Sequence, residues 1–196
     1  MLTRRTFMKQ IAAGAVAAAW GRAATAAPAS SMNIVMIVTD DHRWDALGCA
    51  GNPIIQTPHI DRLAAEGVYF PNAFVTTPIC CSSRASILTG NYARTHGVID
   101  FGTDLTSEQF GASYPGRLAA AGYRNGFMGK YGVGAHPPKE TLGLVEPPPG
   151  KETFFREVDG ERRHLTRITA DDAVAFIREQ PKDAPFCLSV SFHAPH

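Results

Sequence analysis

Apolar runs that alternate with amphipathic segments predict strands separated by helices along this chain. Residues 33–38 are apolar after Asn33 and rich in β-branched residues, which is typical of a buried central strand in a parallel sheet. Further strands are expected over 123–128 and 186–192, and helices over 114–121 and 167–180. This order of elements indicates an α/β fold that is doubly wound, with a mostly parallel sheet and helices on both faces.

Three weaker patterns lie between these elements. Thr57-Pro58 has the cap-then-proline order that opens a helix, and Gly67 is expected to end that helix. Residues 68–74 are strand-like in composition, and the proline-rich tract 137–150 predicts a surface loop. These segments extend the α/β pattern without adding a chemical motif.

Two adjacent carboxylates, Asp40 and Asp41, directly follow the first strand and Thr39. Such a pair is costly to bury unless a cation binds it, and open α/β sheets place their ligands at this carboxyl edge. Oxygen ligands of this kind favour calcium or magnesium over zinc. The pattern therefore predicts a site for a hard metal ion. The open alternative is that the two acids cap a turn or a following helix.

A thiol and a cation lie at the start of another predicted helix. Cys80 comes just ahead of this helix, where unpaired backbone N–H groups and the helix dipole favour an anion, and Arg84 follows one turn later. A candidate nucleophile, a guanidinium fork and a helix N-terminus together describe a pocket for an oxyanion such as sulfate or phosphate. From these residues alone, the alternative is an amphipathic helix preceded by two buried cysteines.

Residues 1–26 have the features of an export leader. Arg4-Arg5 belongs to a twin-arginine pattern, an alanine-rich apolar stretch follows over 11–20, and Ala24-Thr25-Ala26 provides a small-residue cleavage site. The apolar stretch is shorter than the roughly 20 residues that a membrane span needs. We therefore expect a twin-arginine signal peptide over 1–26 that engages the Tat export machinery. The expected location is periplasmic or secreted, with no stable membrane anchor; an uncleaved anchor or a basic amphipathic helix is the alternative.

Charge and cysteine content narrow the classes of partner. The 196 residues carry a formal net charge of +1 with acids and bases interspersed, which gives no sign of a surface for nucleic acid or membrane.

The four cysteines are irregularly spaced, so we expect buried thiols at Cys49, Cys81 and Cys187 rather than a disulfide framework. Residues 27–196 are enough for one hydrophobic core.

Four segments, taken in order, resemble the type I sulfatases of the alkaline phosphatase superfamily. They are 38–41, the signature 80–90, 129–131 and 194–196, and the resemblance runs from Asn33 to the last residue. The signature is the most specific of the four. The resemblance implies that 27–196 is the N-terminal part of a sulfatase catalytic domain, truncated relative to the family, and that this portion alone is inactive or poorly folded.

The resemblance also implies a covalent mechanism at Cys80. In that family the matching cysteine is converted to formylglycine by a maturation enzyme, and the hydrated aldehyde attacks sulfur and later expels sulfate. Asp40, Asp41 and the modified Cys80 match residues that contact a calcium ion, with magnesium less suited. The implied activity is hydrolysis of sulfate esters, in sulfated carbohydrates or in aryl sulfates.

Three further residues match positions that handle the sulfate group in that family. Arg84 matches the residue that holds the hydrated aldehyde, Lys130 matches a lysine that binds sulfate, and His196 matches a histidine near the sulfate and the leaving oxygen. Preorganised charge of this kind usually makes the largest contribution to catalysis. The implied catalytic set is therefore Cys80, Arg84, Lys130 and His196.

The chain departs from the family pattern at two positions. Ser82 stands where the family usually has proline or alanine, in the segment that the maturation enzyme reads. Gly132 stands where many members have a histidine, and we hypothesise that His136 replaces it. Because of these departures, an exported binding protein with an unmodified Cys80 stays an alternative. A phosphoryl ester hydrolase of the same superfamily is the other alternative, since sulfate and phosphate esters share a shape.

Overall fold

The computed structural model describes residues 32–148 and 150–196. The predicted leader, residues 1–26, lies outside the described residues, so the signal peptide and its cleavage site stay predictions.

Strands and helices alternate along the described part of the chain. The strands are β1 (Ile34–Asp40), β2 (Arg124–Gly129), β3 (Leu144–Val145), β4 (Phe155–Val158), β5 (Glu161–His164) and β6 (Phe186–Pro195). The α-helices are α1 (Pro58–Glu66), α2 (Cys80–Thr89), α3 (Ala93–His96), α4 (Ser107–Gly111), α5 (Tyr114–Ala120), α6 (Lys139–Leu142) and α7 (Leu165–Arg178), and a short 3₁₀ turn covers Gly48–Ala50.

The main sheet is parallel, with the strand order β1-β6-β2-β3. β6 lies between β1 and β2, because Leu188 pairs with Val35 on one side and with Gly126 on the other. This order brings the last strand of the chain next to the first. A parallel sheet built in this way aligns the carboxyl ends of β1, β6 and β2 at one edge.

Helices cover both faces of the sheet, as the alternation along β2 shows. Phe127 packs in a core with Ala85 of α2, whereas the next residue, Met128, packs on the opposite face with Ala173 of α7. Successive side chains of a strand point to opposite faces, so both layers need apolar residues in β2. The predicted doubly wound α/β fold, with a parallel sheet and helices on both faces, is confirmed.

Within the described residues, the first strand does not have the predicted central position. β1 lies at an edge of the main sheet, and its side chains Val35 and Ile37 are 48% and 59% exposed. Helix α7 packs against β6 and β2, which leaves this face of β1 uncovered within the described residues. A β-branched apolar run favours a strand, but the order of strands depends on which distant segments pair.

Two segments between the main elements also differ from expectation. Residues 68–74 form no strand and lie in turns and irregular structure. The expected loop 137–150 contains α6 and β3, the latter pairing with β2. The antiparallel hairpin β4–β5 was not predicted, although its Asp159-Gly160 turn is a recognised signal: both residues have positive φ, at 53° and 77°, as a type I′ turn requires.

Helix α7 occupies nearly the predicted range and packs on β6 through residues such as Ala173. Two of its apolar residues, Val174 and Ile177, are 44% and 43% exposed. A search of the described residues finds no helix with both the length and the apolar content of a membrane span.

Candidate active site

Three of the predicted site residues follow directly from the ends of neighbouring strands. Asp40 ends β1, Lys130 follows β2, and His196 follows β6. Backbone hydrogen bonds continue the sheet through them: the Lys130 N–H donates to the Ser191 carbonyl at 2.8 Å, and the His196 N–H donates to the Asp40 carbonyl at 3.1 Å. The parallel order of the strands therefore brings these three side chains to one place.

The Asp40 carboxylate contacts three basic side chains, and these four residues are called the charged cluster below. Its Oδ1 accepts a hydrogen bond from Arg84 Nη2 at 3.2 Å, and its Oδ2 contacts Lys130 Nζ and lies 3.1 Å from His196 Nδ1. Asp40 is 5% exposed and Arg84 is 6% exposed. Burial by itself would raise the Asp40 pKa, but the hydrogen bonds from Lys130 and His196 and the charge of Arg84 together lower it below its usual value.

The Arg84 guanidinium reaches this cluster from helix α2 and is held at several points. Its Nη1 donates to the Lys130 carbonyl at 2.7 Å and also to the Ser191 hydroxyl, while Nη2 donates to Asp40. Sequence reasoning missed Ser191. The signal was available, because Ser189 and Ser191 alternate with apolar residues along β6 and so share one face of the sheet.

Cys80 is the first residue of α2, so the helix begins one residue earlier than predicted. The preceding residue, Ile79, is extended and provides no side-chain cap to the helix. The half-buried Cys80 lines a cleft together with Asp40, Asp41, Arg84 and His196. The structure therefore brings the candidate nucleophile to the same cleft as both carboxylates and the guanidinium.

The predicted metal ligands share this cleft but do not form a complete site. Asp41 has a left-handed backbone (φ 56°), which aspartate tolerates better than most residues, and it lines the cleft next to Asp40. Within residues 32–148 and 150–196, no three His, Cys, Asp or Glu side chains lie close enough together to hold a metal ion. The Asp40 carboxylate is instead engaged by Arg84, Lys130 and His196. The carboxylate oxygens of Asp40 and Asp41 suit a hard cation, but they provide only some of the ligands that such an ion needs.

Comparison with known proteins identifies the family. Residues 32–196 match the family model described as Sulfatase. The chain belongs to the sulfatase family of the alkaline phosphatase superfamily. It is 33% identical to an N-acetylglucosamine-6-O-sulfatase of Bacteroides thetaiotaomicron, with 84% of this chain and 30% of that protein covered. It is 29% identical to an arylsulfatase of Clostridium perfringens, with 84% and 43% covered.

A solved structure agrees with this membership. The structure of BT4656 in complex with its substrate D-glucosamine-2-N,6-O-disulfate superposes with a TM-score of 0.67 at 28% identity, covering 84% of this chain and 35% of that one. The chain thus spans less than half the length of each of these sulfatase relatives.

The position where many sulfatases have a histidine is closely packed in this chain. Gly132 has a left-handed backbone (φ 65°), and a Cβ atom there would lie 2.9 Å from Arg84 Cδ. The structure does not bring His136 to the cluster as its replacement. Its backbone N–H and its Nδ1 are engaged by the Asp104 carboxylate, at 2.9 and 2.7 Å, and its side chain is 85% exposed. The hypothesis that His136 takes over this position is therefore wrong for this arrangement.

Ser82, the other departure from the sulfatase pattern, has a structural partner. It is fully buried, and its hydroxyl donates to the Val98 carbonyl at 2.8 Å. This hydrogen bond satisfies a polar group that would otherwise be buried without a partner. Ser82 thus ties the first turn of α2 to the segment that follows α3.

Proposed function

We propose that the complete protein is a sulfuric ester hydrolase that releases sulfate from sulfated carbohydrates and also accepts simple aryl sulfates. The observation that carries the proposal is the shared cleft in which Cys80 lies beside Arg84, His196 and the carboxylates of Asp40 and Asp41. A candidate nucleophile next to fixed cations suits displacement at the sulfur of a sulfate ester. The names of the two curated relatives support the same class of reaction.

Cys80 is proposed to be converted to formylglycine by a maturation enzyme that this protein encounters as a partner. The hydrated aldehyde would supply a hydroxyl nucleophile for covalent catalysis. The position of Cys80 at the first residue of α2 favours an anion there, because the N-terminal end of a helix carries partial positive charge. The neighbouring Cys81 is 1% exposed in the core, so Cys80 is the thiol that faces the cleft.

Arg84 and Lys130 are proposed to bind the sulfate oxygens and the charge that develops on them. The Arg84 fork is already oriented by the Lys130 carbonyl, by Ser191 and by Asp40, so it needs little reorganisation when substrate binds. The Lys130 ammonium lies on the other oxygen of Asp40 and adds a second positive charge. Arg84 and Lys130 together carry two positive charges, and Asp40 neutralises one of them. The remaining positive charge can pair with an anionic substrate.

His196 is proposed to transfer a proton at the leaving oxygen. The lowered pKa of Asp40 keeps this carboxylate ionised. The carboxylate therefore accepts a hydrogen bond from the His196 Nδ1, 3.1 Å away, and this nitrogen carries a proton. When the ring is doubly protonated, the Nε2 atom would hold the second proton and donate it to the leaving oxygen, as a histidine oriented by a carboxylate commonly does in general acid catalysis.

Asp40 and Asp41 are proposed to form part of a Ca²⁺ site together with the modified Cys80, with Mg²⁺ less suited. Calcium takes about 6–8 oxygen ligands, so water, substrate and further residues would complete the shell. A cation bound there would polarise the nucleophile and help to neutralise the sulfate group. For this to occur, the Asp40 carboxylate must share its oxygens with Lys130 and His196, which contact it in the structure.

The proposed location is the periplasm or the outside of the cell. The Tat machinery would export the protein, and the signal peptide would be cleaved after residue 26. The twin-arginine pattern at Arg4-Arg5 supports this proposal. Cell fractionation with antibody detection is the direct measurement, and a protein that is retained in the cytoplasm at full length would contradict it.

Mass spectrometry of the tryptic peptide 63–84 tests the central step, because formylglycine and cysteine at position 80 differ in mass. The complete protein is expressed with its own maturation machinery, and the rates of hydrolysis of 4-nitrophenyl sulfate and 4-nitrophenyl phosphate are compared. We expect formylglycine at Cys80, faster sulfate hydrolysis, and loss of both in Cys80→Ala. Cys49→Ala, which alters a thiol outside the cleft, is the matched control. Turnover by a protein with an unmodified Cys80, or faster hydrolysis of the phosphate, would contradict the proposal.

A further inference from the structure

Helix α2 has three distinct faces, and the mechanism above uses one of them. Cys80 and Arg84 belong to the face that lines the cleft, whereas Ala85 belongs to a face that packs in the hydrophobic core. The third face carries Ser82 and Ser86, which are four residues apart and therefore neighbours on the helix surface. Both hydroxyl groups bond to residues at or just after the end of α3, so this face attaches α2 to another part of the fold.

His96 and Val98 are the partners of these two serines. The Ser82 hydroxyl donates to the Val98 carbonyl at 2.8 Å, and the Ser86 hydroxyl lies 3.0 Å from His96 Nε2. The Val98 N–H donates to His96 Nδ1 at 3.1 Å, so in the neutral ring Nε2 carries the proton and donates it to Ser86. Burial lowers the pKa of His96 below its usual value, which favours this neutral ring.

The segment that holds the serines is itself firmly fixed. His96 is 4% exposed, and Val98 is fully buried in the same core as Ala85 of α2. The Gln109 side chain donates to the His96 carbonyl at 3.1 Å and also belongs to the capping box at the start of α4. The hydrogen bond from His96 to Ser86 therefore connects α2 to a well-packed part of the structure.

Core packing and the contacts of Arg84 fix the rotation of α2 only loosely. Apolar contacts are not directional, so the core sets the distance of the helix from the sheet more than its rotation. The hydrogen bonds of Arg84 lie at the end of a long side chain, which can adjust if the helix turns. The hydrogen bonds of Ser82 and Ser86 are directional and lie on successive turns, so they resist rotation about the helix axis. Cys80, the first residue of α2, would move within the cleft if the helix turned.

We propose that His96 is a positioning residue, which acts through Ser86 to fix the rotation of α2 and thereby the place of Cys80 and Arg84 in the cleft. This inference rests on the proposed function, because it concerns the nucleophile and the anion-binding group of that reaction. The hydrogen bond between Ser82 and Val98 is a second point of attachment, one turn earlier in the helix.

Removing the serine end of the link tests the inference in the complete, matured protein. Ser86→Ala should lower kcat/KM on 4-nitrophenyl sulfate about three- to tenfold, the usual effect of one hydrogen bond. Ser86→Thr keeps the hydroxyl group and should recover most of the loss. Rates are divided by the fraction of protein with formylglycine at position 80, so that a change in maturation is not taken for a change in catalysis. Thr89→Ala is the matched control and should leave kcat/KM as it is, because the Thr89 hydroxyl bonds to the Ala85 carbonyl of its own helix.

Removing the histidine end provides an independent measurement. In His96→Asn the side-chain oxygen can still accept the N–H of Val98, two residues later, as in an Asx turn, but the shorter side chain does not reach Ser86. This variant should therefore lower kcat/KM by a similar factor. Because both changes break the same hydrogen bond, the double variant Ser86→Ala/His96→Asn should be no slower than the slower single variant.

Three outcomes would overturn the inference while leaving the proposed function intact. An unchanged kcat/KM in folded Ser86→Ala would show that the link contributes to stability alone. Losses that multiply in the double variant would show that the two side chains act separately, and a Ser86→Thr protein as slow as Ser86→Ala would show that the hydroxyl group is not what matters. Thermal unfolding establishes that each variant is folded, and if His96→Asn does not fold, the two Ser86 variants decide.

A wild-type protein that turns over no sulfate ester would contradict the proposed function first. Calorimetric binding of inorganic sulfate to wild type and to Ser86→Ala then decides the inference. Binding that is about three- to tenfold weaker in Ser86→Ala supports it, because Arg84 would be displaced. Equal affinity, or no binding to either protein, overturns it.

Discussion

Replacing Asp40 with asparagine removes the negative charge that Arg84, Lys130 and His196 share. The side chains differ in exposure: Asp40 and Arg84 are each 7% exposed, Lys130 is 17% exposed and His196 is 61% exposed. Removing one partner of a buried ion pair typically costs about 3–5 kcal/mol, because the other charge stays buried without compensation. The more exposed His196 is partly solvated and contributes less. We therefore expect Asp40→Asn to lower the free energy of unfolding at pH 7 by about 3–5 kcal/mol, mainly through Arg84.

The loss should depend on pH in a defined direction. The pKa of Asp40 is lowered in the folded state, so its charge contributes stability above the unfolded value near pH 4, about where free aspartate titrates. This contribution is lost as the pH falls through the lowered pKa of the folded state, where the wild-type carboxylate also becomes neutral. The difference in the free energy of unfolding between wild type and Asp40→Asn should accordingly be largest at pH 7 and should decrease below pH 4.

Urea unfolding of the complete protein, followed by far-UV circular dichroism, measures this difference. Urea is uncharged and does not screen the ion pairs, and a chelator keeps bound cations from adding stability. Asp171→Asn is the matched control, because Asp171 pairs with Arg167 on the exposed side of α7 and such pairs contribute little. Adding Arg84→Met to Asp40→Asn should recover part of the loss. Equal stability of Asp40→Asn and wild type at pH 7, or a difference that does not shrink in acid, would refute the reasoning.

Three other substitutions test the packing around the site. Gly132→His, which restores the usual family residue, should lower sulfate turnover at least tenfold, because the left-handed backbone and the contact with Arg84 leave no room; increased turnover would contradict this. Ser191→Ala removes an acceptor of Arg84 and should lower kcat about three- to tenfold with a smaller change in thermal stability; an unchanged kcat would mean that the other contacts are enough. Gly126→Ala places a Cβ 2.6 Å from Phe176 Cε2 and should destabilise the fold by about 1–3 kcal/mol in urea unfolding; wild-type stability would show that α7 can shift.

The local pattern of the sequence was enough to predict the elements that carry the site. The apolar run of β1 is continuous and is followed at once by polar residues, and Phe127-Met128 of β2 and the apolar positions that alternate with serine in β6 mark the other two strands, so all three could be located. Carboxyl ends of parallel strands meet at one edge, which is why Asp40, Lys130 and His196 could be expected near one another. The Asp159-Gly160 hairpin was equally readable but was not recognised.

The tertiary structure alone decided how these parts are arranged. The apolar pattern of 33–38 indicates a strand but does not identify its neighbour, which is β6 in the structure. The same pairing brings Ser191 to Arg84, a contact between residues far apart in the sequence. His136, close to Gly132 in sequence, is instead held by Asp104. Propensity and periodicity are local properties, whereas strand order and side-chain partners depend on long-range packing, so the sequence by itself determined the elements and the structure determined the site.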